Sequence, residues 1–297
     1  MIPAAQPQKS VDLGDLKIDH SSRRSLFTIA MTILASACML LTLIPLIAVL
    51  TYVFLQGFRR FNLPLLTQLP PPPGLTEGGI ANAILGTLIV VGIAAIISVP
   101  FGVLAAVFLA EFGKGNPLAR WVRFATNVLS GVPSIVAGVF AYGLLVKTGL
   151  TGYSAIAGGV ALSVLMLPTI IRTTDEALQI VPKEVRMASV GLGASNYQTI
   201  LKIVLPAAVP SIITGVTLAI ARAAGETAPL IFTALNSSFW PGGVLEPISS
   251  LSVLVYNFAT VPYEPQKQLA WAGALILVLM VLMTSIAARL ATRQKTY

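Results

Sequence analysis

The 297-residue chain is 56% hydrophobic and only 10% charged, whereas a soluble domain carries about 25% charged residues. This composition excludes an ordinary soluble globule and indicates a protein embedded in a membrane. The net charge of +8 would suggest a nucleic-acid partner in a soluble protein, but the basic residues lie between long apolar runs, and we expect no nucleic acid to bind. One cysteine, Cys38, and one histidine, His20, are too few for a disulfide framework or a Cys/His metal site within the chain.

Six long runs of the sequence are almost free of charged residues. They lie within residues 26–55, 81–110, 124–146, 154–171, 207–235 and 269–288. Each is close to the length of about 20 apolar residues that a membrane span needs. The first is much longer than the apolar core of a cleavable signal peptide, so we expect it to be retained. The sequence therefore predicts an all-α integral membrane protein with about six transmembrane helices.

The basic residues between these runs predict the orientation of the chain. Of the nineteen Lys and Arg residues, fourteen fall on the side of the N-terminus, four on the opposite side, and Arg222 lies within the fifth run. Since basic loops resist translocation, both termini are expected to be cytoplasmic. The predicted organisation is a cytoplasmic tail over residues 1–24, a transmembrane domain over 25–290 and a second cytoplasmic tail over 291–297.

The cytoplasmic segment between the fourth and fifth runs carries signals for two short helices. Pro182 suits the first turn of a helix, which Gly191 and Gly193 would end. Ser195, followed three residues later by Gln198, forms a capping-box pattern that would start a second helix. Two short helices joined at a glycine corner would project from the membrane as a compact knob.

This segment resembles the cytoplasmic signature of ABC importer permeases. That signature reads Glu-Ala-Ala, three residues, Gly, nine residues, Ile, one residue, Leu-Pro. The residues that match at the same spacing are Ala188, Gly193, Ile203, Leu205 and Pro206. The Glu-Ala-Ala part is replaced by Met187, Ala188 and Ser189, preceded by Arg186, so the acidic residue of the family is absent.

The resemblance implies a type I ABC importer permease fold in which residues 173–206 carry a coupling helix. It also implies that this helix docks on a separate ATPase. The chain contains no G-x-x-x-x-G-K-[ST] loop to cradle nucleotide phosphates. We therefore expect this chain to be a transporter subunit without cofactors and without enzymatic activity of its own, with ATP and Mg bound by the partner ATPase.

Arg222 and Glu226 are the charged residues inside the fifth apolar run, and an ionisable residue within a membrane span is a functional candidate. Their spacing of four residues lets them pair on one helix face. Pro229 cannot donate to the carbonyl of Gly225, so a helix kink is expected there. The pair could be a purely structural ion pair that holds this helix against a neighbour. Alternatively it could bind an anion, since the arginine side chain matches phosphate and carboxylate geometry.

The surrounding string ARAAGETAPLIFTAL, residues 221–235, resembles the fifth helix of phosphate permeases of the PstA type. In that family the arginine and glutamate are implicated in phosphate passage, together with a second arginine whose position Arg172 fits. The resemblance implies import of inorganic phosphate through a multi-pass protein of the bacterial inner membrane, in contact with lipid. The implied partners are a homologous second permease, two ATP-binding subunits and an extracytoplasmic phosphate-binding protein.

Three alternatives are open from the sequence. A permease for another oxyanion, such as sulfate or molybdate, is one, because an arginine does not distinguish these ions. An ion-coupled secondary carrier that exchanges protons at Glu226 is another, although we find none of the inverted repeats of many such carriers. A non-transporting membrane scaffold would leave the intramembrane charges and the coupling signature unexplained.

Overall fold

The computed structural model describes residues 23–113 and 115–292, which form helices joined by turns and loops. In chain order the helices are α1 (Arg23–Phe58), α2 (Leu63–Thr67), α3 (Ala81–Val107), α4 (Pro117–Gly131), α5 (Ser134–Ala141), α6 (Ala155–Ile180), α7 (Lys183–Gly191), α8 (Asn196–Thr199), α9 (Leu205–Ala224), α10 (Ala228–Thr233), α11 (Leu251–Thr260) and α12 (Glu264–Thr292). π-Helical turns extend α3 (Phe108–Phe112) and α5 (Tyr142–Val146) and join α8 to α9 (Ile200–Val204). Residues 1–22 and 293–297, which make up most of the two predicted tails, lie outside the described residues.

Five helices among the described residues are long and apolar enough to cross a membrane, and a bent pair brings the number to six. This confirms the predicted count of about six. The third predicted span is not one straight helix, because α4 and the helix Ser134–Val146 meet at 106°. The bend falls at Val132 and Pro133, where proline disfavours a helical conformation of the residue before it.

The described residues divide into two units between Tyr52 and Val53, so the boundary falls within α1. In the first unit the described part is a single helix whose apolar side chains, such as Phe27 and Leu41, are exposed. Exposed apolar side chains over the length of a span suit contact with lipid.

The second unit packs its main buried cluster around α3 and α6. Val90 from α3 and Leu162 and Ile170 from α6 are fully buried in it. Gly102 lets the two helices approach closely, since a Cβ placed on it would lie 2.7 Å from Ile170 Cγ2. Small residues at helix crossings serve this purpose in membrane proteins.

Two helix boundaries differ from those predicted. The fourth span, α6, continues beyond residue 171 to Ile180. The second short helix after the glycine corner is instead the start of a continuous helix, Asn196–Ala224. The π-helical turn Ile200–Val204 ends two residues before Pro206. Proline has no N–H to donate to the preceding turn, and the changed hydrogen bonding of the π-helical turn lets the helix continue past it.

Candidate anion path and coupling surface

The fifth predicted span is interrupted at Gly225–Thr227. Helix α9 ends at Ala224, where the amide of Gly225 donates to the carbonyl of Arg222 over 3.1 Å. A new helix, α10, begins at Ala228 with Pro229 in its first turn. Gly225 and Pro229, the residues predicted to kink the helix, therefore lie in the interruption and directly after it.

Arg222 and Glu226 lie at this interruption and form a long ion pair. Arg222 Nε is 3.7 Å from Glu226 Oε1, beyond hydrogen-bonding distance. Glu226 lies past the end of α9, so the two residues do not share one helix as the spacing had suggested. The Arg222 side chain is 69% exposed and that of Glu226 only 17%. The guanidinium group is therefore available to an anion while the carboxylate stays close beside it.

Ser252 in the first turn of α11 holds the backbone of the interruption. Its hydroxyl donates to the carbonyl of Glu226 over 2.8 Å, and Ser252 is itself buried. Two other hydroxyls nearby accept from amides of the same helix: Thr87 from Leu251 over 2.8 Å and Ser250 from Val253 over 3.4 Å. Sequence reasoning missed this group, although a serine directly before an apolar helical stretch, as Ser250 is here, is a helix-start signal.

Helix α10 packs against α5 and α6. A Cβ placed on Gly138 of α5 would lie 2.5 Å from Pro229 Cα, so the two backbones are in direct contact. A Cβ on Gly158 of α6 would lie 3.1 Å from Ala234 Cβ, just beyond the end of α10. The segment after the interruption is thus fixed between two neighbouring helices.

Arg172 lies within α6, well before its end, and pairs with Glu176. Arg172 Nε is 3.7 Å from Glu176 Oε1, and the two side chains are 69% and 68% exposed. Together with Arg123 and Asp175, they line a cleft of about 280 Å³. The structure does not join Arg172 to Arg222; each arginine has its own glutamate four residues further along the chain.

The glycine corner has the conformation that its sequence signals predicted. Helix α7 ends at Gly191, and Gly193 has φ +87°, a left-handed conformation that favours glycine. The Ser195 side chain accepts from the Gln198 amide over 3.3 Å, and the Gln198 side chain accepts from the Ser195 amide over 2.9 Å. This capping box starts the helix that leads to Arg222.

The corner presents apolar side chains to its surroundings. Leu192 is 89% exposed. Met187, Val190 and Tyr197 are also exposed. A group of large exposed apolar residues at one turn of the chain marks an interaction surface. We call Met187, Val190, Leu192 and Tyr197 the corner surface.

The other signature residues have different surroundings. Ala188 is exposed, whereas Ser189 is buried and its hydroxyl lies 2.9 Å from that of Thr199, which closes the corner. Ile203 lies in the π-helical turn, and Leu205 packs on the buried cluster at the end of α6. Pro206 is exposed at the start of α9.

Arg186 faces inward from α7. Its Nη1 lies 2.5 Å from Glu111 Oε1, and its Nη2 donates to the Leu178 carbonyl over 2.7 Å. Sequence reasoning missed Glu111, because a single acidic residue at the end of an apolar run does not indicate a partner 75 positions away. The charged contact of α7 within this chain is therefore made by Arg186 and not by residue 187.

These features define the membrane subunit of an ABC importer. The model of the family described as binding-protein-dependent transport system inner membrane component matches residues 98–296. Two solved structures share the fold: a bacterial alginate ABC transporter (TM-score 0.63, 15% identity, covering 95% of this chain and 96% of that chain) and the inward-facing MetNI methionine ABC transporter (TM-score 0.59, 21% identity, covering 72% and 95%).

Closer relatives come from curated proteins. The phosphate transport system permease protein PstA of Yersinia pestis is 40% identical over 265 residues, covering 89% of this chain and 90% of that protein. PstA of Haemophilus influenzae is 41% identical over 240 residues, covering 81% and 84%. The chain belongs to the PstA family of phosphate transport system permease proteins.

Proposed function

We propose that this chain is the permease subunit that carries inorganic phosphate across the bacterial inner membrane in an ATP-driven importer. The observation that carries the proposal is the exposed guanidinium of Arg222 beside an interrupted helix in an otherwise apolar span. Phosphate is anionic at neutral pH, and moving a charge through an apolar environment is very costly unless it is paired. Arg222 supplies the compensating charge and a planar set of donors.

Glu226 and Arg172 have supporting roles in this proposal. The Glu226 carboxylate lies close enough to orient the guanidinium electrostatically, and its negative charge favours release of an anion that has bound. Arg172, exposed on α6, offers a second cationic point for phosphate on the cytoplasmic side. Neither residue is so tightly paired that phosphate would have to break a short ion pair.

The corner surface is the proposed contact with the ATPase. ATP and Mg bind to that partner, which hydrolyses the nucleotide. The present chain supplies the path for phosphate. Two copies of the ATPase, a homologous second permease and an extracytoplasmic phosphate-binding protein complete the importer. Both termini of the chain lie in the cytoplasm in this arrangement, in agreement with the excess of basic residues on that side.

In this proposal transport follows alternating access, and the ATPase drives it by moving the corner surface. The helix Asn196–Ala224 runs without interruption from the corner to Arg222. At about 1.5 Å per residue it spans about 40 Å. A push on the corner surface therefore moves the Arg222 end of the same helix, and the interruption after Ala224 separates this movement from α10.

The test is transport by the complete complex in proteoliposomes. We expect ATP-dependent uptake of radiolabelled phosphate that unlabelled phosphate inhibits and that sulfate and molybdate leave unchanged. Uptake should stop with a hydrolysis-deficient ATPase and persist when an ionophore collapses the proton gradient. Preferential competition by sulfate or molybdate would assign another oxyanion, and uptake that needs the proton gradient but not the ATPase would assign a secondary carrier.

A further inference from the structure

Two arginines on the cytoplasmic side, Arg186 of α7 and Arg123 of α4, hold the same pair of helix ends. Arg186 contacts Glu111 at the end of the π-helical turn after α3, and the Leu178 carbonyl near the end of α6. Arg123 contacts Asp175 in α6 over 2.6 Å and the Leu109 carbonyl in the same π-helical turn over 3.1 Å. Four separate elements therefore meet at two guanidinium groups.

Both arginines use the same bonding pattern. One terminal nitrogen binds a carboxylate and the other binds a backbone carbonyl. A guanidinium group presents its donors in a fixed fork, whereas a lysine is a single point of charge. The acceptor carboxylates are largely buried, with Glu111 12% and Asp175 11% exposed. The Arg186–Glu111 pair, with Arg186 24% exposed, is therefore less screened than a surface ion pair, whereas Arg123 is 46% exposed and its pair is screened more.

The two arginines share two elements, α6 and the π-helical turn Phe108–Phe112. Such turns interrupt regular helices and are frequent at functional sites. Leu109 and Glu111, both in this turn, receive Arg123 and Arg186 respectively. Helix α7 is thus linked to α3 directly through a side chain, and not only through its own chain connections to α6 and α9.

The region around Arg123 and Arg186 is not tightly packed. A cleft of about 760 Å³ is lined by both arginines together with Glu111 and Lys183. Asp175 Oδ1 is buried and has no hydrogen-bond partner in the described part of the chain. Space beside the ion pairs and an unused acceptor allow the helix ends to change their positions while the arginines keep them connected.

We propose that Arg186 and Arg123 are positioning residues that form a clamp, through which a displacement of α7 is transmitted to α3 and α4. The proposal rests on the proposed function, because it assumes that an ATPase moves α7. It adds a second route, since the helix Asn196–Ala224 would carry the movement to Arg222 and the clamp would carry it to α3 and α4. Arg186 lies outside the cleft that Arg172 lines, whereas Arg123 is one of the residues in that cleft, so the Arg186 variants carry the test of the clamp.

The first test compares variants in the complete reconstituted complex. The variants are Arg186→Ala, Arg186→Lys and Arg123→Ala, with Lys267→Ala as a control that removes an exposed cation paired with Glu264. We measure co-purification of the ATPase, ATP hydrolysis and phosphate taken up per ATP. Arg186→Ala and Arg123→Ala should keep the ATPase bound and hydrolysis within about twofold, while uptake per ATP falls about tenfold. Arg186→Lys should recover only part of this loss, and the control should match the wild type.

The second test does not depend on the substrate. Spin labels on cysteines introduced at Lys183 in α7 and Arg120 in α4, after Cys38→Ala, report the distance between these helices by pulsed electron resonance. With the clamp intact, nucleotide binding should leave this distance unchanged, because the helices move together. In Arg186→Ala the distance should shift or broaden when nucleotide binds.

The outcomes separate the clamp from the proposed function. A wild-type complex that fails to import phosphate but shows the expected distances would reject the function and support the clamp. The clamp would be overturned by an Arg186→Ala complex that takes up the normal amount of phosphate per ATP. It would also be overturned if the distance between the two spin labels in that variant did not change when nucleotide binds. If the ATPase is lost from most complexes but the remaining complexes take up the normal amount of phosphate per ATP, the clamp would also be overturned, because the arginine would then serve only assembly.

Discussion

The hydroxyl of Ser252 donates a hydrogen bond of 2.8 Å to the carbonyl of Glu226, and thereby joins α11 to the interruption of the fifth span. This carbonyl belongs to a residue outside regular helix, in a part of the protein where the surrounding segments are apolar. A buried polar group without a partner costs about 1–3 kcal/mol. The single hydroxyl therefore stabilises the backbone next to the proposed anion path.

Replacing this hydroxyl should weaken the interruption. Ser252→Ala removes the donor, and we expect a loss of about 1–3 kcal/mol in stability together with reduced uptake. Thermal unfolding of the purified complex and transport in proteoliposomes measure the two effects. Ser285→Ala is the matched control, because Ser285 donates only to the Val281 carbonyl of its own helix. Equal effects of the two substitutions would contradict a special role of Ser252.

The contact between Gly138 and Pro229 predicts strong sensitivity to a single methyl group. In Gly138→Ala the new Cβ would lie 2.5 Å from Pro229 Cα, so α10 must shift. Overpacking of this kind costs about 1–3 kcal/mol. Gly143→Ala, in the same span but with no atom within 4 Å of the added Cβ, should leave the unfolding temperature unchanged. If both variants unfold like the wild type, α5 and α10 are not held together as described.

The left-handed backbone at Gly193 predicts a loss of coupling without a loss of membrane insertion. Gly193→Ala strains the corner by about 1–2 kcal/mol, and Gly193→Pro is incompatible with φ +87°. We expect the proline variant to insert normally and to abolish transport, and the alanine variant to reduce it. Gly191→Ala lies at the end of α7 with open space around the new Cβ and should transport normally. Unchanged uptake in Gly193→Pro would count against the coupling role.

The exposed guanidinium of Arg222 should be necessary for uptake and dispensable for assembly. Arg222→Ala should yield a complex with all subunits present and no measurable phosphate transport. Arg222→Lys should retain partial transport, because it keeps the charge but not the planar donors. Arg289→Ala, which removes an exposed cation near the end of α12, is the control for net charge. Normal uptake by the Arg222→Ala complex would refute the anion path.

Much of the fold could be predicted because apolar runs and membrane spans have the same physical cause. The bend before Ser134 was missed, since residues 124–146 satisfy the same apolar criterion whether the helix is straight or broken. Pro133 was the available signal, through its effect on the backbone of Val132. The continuity of the helix across Pro206 could not be predicted, because it depends on a π-helical turn that no composition rule detects.

The candidate site could be predicted only where a residue is unusual in its own segment. Arg222 stands out because a charge in an apolar span is costly. Ser252 and Glu111 are ordinary residues locally, and their importance lies in partners 26 and 75 positions away. Such pairs become visible only after the helices have been packed together.

The two interrupted helices also limit how the chain can lie in a membrane. At about 1.5 Å per residue, Ser134–Val146 reaches about 20 Å, less than the hydrocarbon thickness of about 30 Å, and α10 is shorter still. Irregular backbone at such depth persists only where protein covers it or water reaches it. Because Arg222 is 69% exposed in this chain and an unpaired charge is costly in hydrocarbon, we expect its face of the helix to lie against water or a partner subunit and not against lipid. A charged solute that followed this face would meet a polar lining instead of the hydrocarbon of the surrounding bilayer.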